Sequence, residues 1–70
     1  MMPLTMAKPG ETVTIRRVTG RDEVRRRLAE LGFAADCAVT VVGAAAGSLI
    51  LQVRNSRVAL DRTMASRILF

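Results

Sequence analysis

Seventy residues with eleven lysines and arginines, six acids, one cysteine and no histidine, tryptophan or tyrosine leave room for a single domain, 1–70, with one small core. The lone Cys37 excludes an intrachain disulfide and points to a reducing compartment, so a cytoplasmic location is expected. A net charge of +5, with ten of the eleven cations arginine, favours anionic partners and says nothing about fold.

The opening MMPLTMAKPGE has no basic segment leading into an apolar run, so no signal peptide is expected. A Pro9-Gly10 turn precedes Val13 and Ile15, which alternate with Thr12, Thr14 and Arg16 and predict a first long strand. The period then changes. Val24, Leu28 and Leu31 fall at i, i+4 and i+7 and share one helix face, and Gly32 sits where a residue of positive φ stops a helix. Thr19 or Asp22 is suited to cap the start, and Asp22 and Glu23 occupy the first turn, where the helix dipole favours acids.

The longest uncharged stretch, AVTVVGAAAGSLIL from Ala38 to Leu51, is 14 residues, short of the roughly 20 that span a bilayer. Glycines divide it, and Val39 and Val41 on one side with Leu49, Ile50, Leu51 and Val53 on the other predict a β-hairpin across a flexible GAAAG link. No membrane insertion is expected. Farther on, RNSRVAL reads as a tight Asn-Ser turn into a short strand with Val58 and Leu60. The last ten residues hold one helical turn around Met64 and Ala65 and a closing strand with Ile68 and Phe70. Five short strands and one helix suit a small bent barrel, because closure removes exposed strand edges.

Chemistry is sparse. Cys37 has no second thiol or imidazole nearby in sequence, and Glu11, Asp22, Glu23, Glu30, Asp36 and Asp61 are scattered, so no metal, cofactor or catalytic constellation is expected. Neither GxGxxG nor GxxxxGK[ST] is present. The run Arg25-Arg26-Arg27 turns largely outward from the Leu28 face, with Arg26 placed to pair with Asp22 or Glu30 and Arg27 with Glu23. A nucleic-acid groove would want aromatic stacking platforms, and Phe33 and Phe70 sit at apolar element ends suited to core packing. Charge by itself therefore argues for weak, salt-sensitive binding of RNA or single-stranded DNA and not for a specific site.

The order of elements, with LTMAKPGETVTI, RLAELGF, AVTVV and RVALDRTMASRI, resembles the FeoA family of small ferrous iron transport proteins over nearly the whole chain. The pieces that carry the resemblance are Leu28, Glu30, Leu31 and Gly32 at the helix end and Ala59, Leu60, Ala65 and Ile68 near the C-terminus. It implies a mainly β, SH3-like barrel of about five strands with one short helix. It also implies no enzymatic activity and a role as accessory to the FeoB transporter, a membrane protein with a cytosolic GTP-binding domain; the lack of histidine and of clustered acids or thiols predicts no tight iron site. The chain departs from the family at Ala35-Asp36, where proline-glycine is usual, and at Asn55, where glycine is usual. Asp and Asn tolerate positive φ best after glycine, so both turns are expected to keep their shape.

Two surfaces are candidates for partner contact. One is the cationic helix with Arg21, Arg25, Arg26 and Arg27; the other is the hairpin tip, where Leu49 or Ile50 either meets a partner or completes the core. The adapter reading competes with a small basic barrel binding RNA or single-stranded DNA, a self-associating module, and an orphan repressor domain.

Overall fold

A computed structural model describes residues 1–70 in nine elements. They are a 3-10 turn η1 (Leu4–Met6), β1 (Thr12–Thr14), β2 (Arg17–Val18), α1 (Asp22–Glu30), β3 (Ala38–Ala45), β4 (Ser48–Val53), β5 (Ser56–Asp61), α2 (Arg62–Ala65) and β6 (Ile68–Leu69). β1, β3, β4 and β5 form one antiparallel sheet in the order β1-β3-β4-β5; β2 and β6 form a second. The sheets do not close into a complete barrel, and β1 and β5 remain open edges.

The expected first long strand is two strands. Arg16 and Arg17 are consecutive and both exposed, so two-residue alternation cannot run through them. The chain turns a corner there: Ile15 donates to the Cys37 carbonyl beside the large sheet at 2.8 Å, and Arg16 donates to the Leu69 carbonyl of the small one at 2.8 Å. The N-terminal residues add a turn that places Leu4 in the core. Met2 and Phe70 exchange both backbone hydrogen bonds, at 2.7 and 2.8 Å, extending the small sheet.

The burial of β4 alternates strictly, with Leu49, Leu51 and Val53 inward and Ser48, Ile50 and Gln52 half-buried on the other face. These join Leu4, Val13, Ile15, Leu28, Phe33, Val39, Val41, Leu60, Ala65 and Ile68 in one core. The GAAAG segment is mostly ladder, not flexible link, since Ala45 pairs with Ser48 and only Ala46-Gly47 turn. Both have positive φ (53° and 81°), as a type I′ turn requires, and a bulge between Val41 and Gly43 shifts the β3–β4 register by one residue. The next hairpin turns at Arg54-Asn55, one residue earlier than the Asn-Ser reading. Arg54, not Asn55, adopts positive φ (54°), while Asp36 does so as expected (71°).

Helix α1 begins at Arg21 with no side-chain cap, so neither Thr19 nor Asp22 caps it. Its end is firmer. Gly32 (φ 105°) donates to the Ala29 carbonyl at 3.0 Å and Phe33 to the Leu28 carbonyl at 2.9 Å, the paired bonds of a Schellman motif. Phe33 and Leu28 both reach the core, so the same turn that stops the helix fastens it. Burying a side chain such as Leu28 contributes about 1.5–3 kcal/mol. Helix α2 carries the side-chain cap that α1 lacks, with Asp61 accepting from the Met64 amide at 2.8 Å.

Candidate interaction surface

Arg21, Arg25, Arg26 and Arg27 are all exposed. A single ion pair forms on the helix, Arg25 with Asp22. Arg26 therefore does not pair with Asp22 or Glu30, nor Arg27 with Glu23. Asp22 lies three residues before Arg25, within reach on the same face, and the Arg25 guanidinium takes its carboxylate. Arg21, Arg26 and Arg27 keep their donors for water or a partner.

The tertiary fold enlarges this basic surface. Thr19 donates its amide to the Arg67 carbonyl at 2.8 Å, and a Cβ at Gly20 would stand 3.6 Å from Arg67 Cδ, which brings Arg67 to the N-terminal end of α1. At the other end a Cβ at Gly32 would stand 3.8 Å from Arg54 Cδ, so a cation lies where the helix dipole is negative. Arg54 Nη2 also sits 3.9 Å from Cys37 Sγ. Neither placement has a local sequence signal: the pairing of β2 with β6 brings Arg67 in, and the β4–β5 turn brings Arg54. Cys37 is half-buried one residue before β3, where its carbonyl holds Ile15.

The two candidate surfaces do not meet. Leu49 is 4% exposed and completes the core, so it is removed from the contact surface. Its neighbour Ile50 points from the opposite face of β4. Helix α1 docks on the inner side through Leu28, and the space above Gly32 faces the inward Val53. The arginines and Ile50 thus present to different directions. No group of three His, Cys, Asp or Glu side chains converges anywhere, and the surface has no pocket. Phe33 is fully buried and Phe70 packs against the core, so neither offers a stacking platform.

Solved structures share this architecture. A FeoA of Stenotrophomonas maltophilia complexed with zinc, described as a procaryotic SH3 domain protein and candidate ferrous iron transport activating factor, is 28% identical. Its TM-score is 0.86 over 99% of this chain and 88% of that one. A FeoA described as an iron uptake regulatory protein gives 0.87 at 24% identity, over 96% and 89% of the two chains. A manganese-dependent transcriptional repressor gives 0.85 at 23% identity, with 94% of this chain covering 38% of the repressor. No curated protein matches the sequence. The model of the FeoA domain matches residues 2–70, and the chain accordingly belongs to the FeoA family, SH3-like domains associated with ferrous iron transport.

Proposed function

We propose that this domain is a non-enzymatic cytosolic adapter of ferrous iron uptake, binding the GTP-binding cytosolic part of a FeoB-type transporter and modulating its cycle. Family membership over residues 2–70 is the observation that carries the reading. The site chemistry is compatible with it: Arg21, Arg26 and Arg27 are exposed and make no ion pair, as Glu23 and Glu30 also do not, and free guanidinium groups suit recognition of an acidic protein surface and speed its encounter. Docking uses Arg21, Arg26 and Arg27, with Arg25 beside them and Arg54 and Arg67 at the ends of α1. Ile50 offers a separate, apolar contact. Fe(II) favours clustered imidazole, carboxylate or thiolate groups and no three such side chains gather here, so the proposed role runs through surface contact and not through a tight iron site.

Amide NMR titration with the soluble GTP-binding domain of the cognate transporter, at physiological salt, tests this. Shifts that cluster on residues 21–27, 54 and 67, with or without Ile50, support the reading, and an Arg21→Glu/Arg26→Glu/Arg27→Glu variant should lose those along the arginines. Silence with the protein, together with salt-labile shifts from a single-stranded oligonucleotide, overturns it in favour of nucleic-acid binding.

A further inference from the structure

We propose that two copies of this chain join edge to edge through β5 in one register, with the two-fold axis passing between the Ala59 residues.

β5 is six residues long and hydrogen-bonded on one side only. Its two-residue connection makes Val53 and Ser56 a hydrogen-bonded pair, so Val58 and Leu60 also turn their backbone groups toward β4. Arg57, Ala59 and Asp61 then point their amides and carbonyls away from the sheet. No turn or loop takes those groups up. Several usual protections of an edge are missing as well: β5 has no proline and no bulge, and Ala65 of α2 is in the core; the charges the strand does carry, Arg57 and Asp61, are of opposite sign. β1, the other edge, is three residues long.

The outward groups are symmetric about residue 59, and so are the charges. An antiparallel pairing centred on Ala59 sets Arg57 opposite Asp61 of the second copy, twice. Centring on residue 57 or 61 opposes like charges, and centring on 58 or 60 keeps the backbone groups paired but sets Arg57 or Asp61 opposite Ala59, which forgoes the charge pairs. Asp61 accepts the Met64 amide through Oδ1, which leaves Oδ2 for an arginine.

Side-chain rows on the outer face continue across the junction. Thr12, Thr40, Gln52 and Arg57 lie in register across the four strands, with 2.7 Å between the threonine hydroxyls and Arg57 Nε donating to Gln52 Oε1 at 3.3 Å. Asp61 of the second copy extends that row. The adjacent row, Gly43, Ile50 and Ala59, becomes a continuous apolar stripe that covers more of Ile50. The arginine face of α1 stays free, so self-association and docking through the helix arginines use different surfaces, while Ile50 lies in the row that the junction covers.

Site-specific cross-linking in a Cys37→Ser background tests the register, with Cys37→Ala as the substitute background if the serine variant does not fold. Ala59→Cys places two thiols on the axis, with Cα atoms about 5.5 Å apart, inside disulfide range. Arg57→Cys places its pair roughly 14 Å apart, outside it. Under mild oxidation the Ala59→Cys protein should form covalent dimer at least ~tenfold faster. Sedimentation of the wild type should show a concentration-dependent dimer that Arg57→Asp and Ala59→Pro each shift to monomer with unchanged circular dichroism. Equal cross-linking at the two positions, or a wild type that stays monomeric at every concentration, overturns the proposal and leaves the β5 edge to a strand from another protein.

Discussion

Replacing Gly32 with alanine tests whether the end of α1 depends on backbone conformation or on space. At φ 105° a Cβ costs roughly 1–2 kcal/mol, because left-handed backbone crowds any side chain larger than hydrogen. Space contributes little, since that Cβ would stand 3.4 Å from Val53 Cγ2 and 3.6 Å from Cγ1, ordinary contact distances. A single small core supplies about 3–5 kcal/mol in all, so the substitution removes a large share. In a domain of this size it lowers Tm by roughly 5–15 °C, and the urea midpoint by about 1–2 M at a slope near 1 kcal/mol/M. Far-UV circular dichroism is the assay, because the chain lacks tryptophan and tyrosine. Gly43→Ala is the control: its φ is not positive, a Cβ there meets nothing within 4 Å, and its effect should stay within about 0.5 kcal/mol. A Gly32→Ala protein that melts with the wild type, or a Gly43→Ala protein that falls as far, would refute the claim that left-handed backbone at Gly32 holds the helix end.

Ala46→Asn puts the residue best suited to positive φ before Gly47 and makes an Asn-Gly type I′ turn; thermal melts should show a gain of roughly 0.5–1 kcal/mol. Leu28→Ala empties a fully buried site for about 2–5 kcal/mol, which should leave the protein largely unfolded by circular dichroism at 25 °C. Asp61→Ala removes the α2 cap and should cost about 0.5–2 kcal/mol in urea titrations, whereas Asp61→Asn keeps most of it. Arg26→Ala and Arg27→Ala break no ion pair and should move stability by less than about 0.5 kcal/mol, while slowing association with the transporter domain in stopped-flow measurements.

Periodic segments were legible in the sequence. Val24, Leu28 and Gly32 located the helix and its end, and Val39, Val41, Leu51 and Val53 located the central hairpin, because apolar spacing is a direct record of which side is buried. Misreadings fall where tertiary pairing overrides local pattern. Nothing around Ile15 and Arg16 announces that the chain changes sheets, since partners 22 and 53 residues away decide it. Positive φ fell on Arg54 because strand register, not the tolerance of Asn55, chose the turn residue. At the candidate surface the four helix arginines were visible as exposed charge. Arg54 and Arg67 were not, because only folding carries them to the ends of α1. The ambiguity of Leu49 against Ile50 was resolved by alternation once β4 had a register.

The reciprocal hydrogen bonds between Met2 and Phe70 bring the two ends of the chain to one spot, so the fold is nearly a ring in space. Such a domain can be re-cut: a short linker from Phe70 to Met2, with new termini opened at Ala46-Gly47, breaks a turn and leaves every ladder bond in place. The same geometry lets it be spliced into the middle of a host chain as easily as onto an end, since entry and exit points already lie side by side.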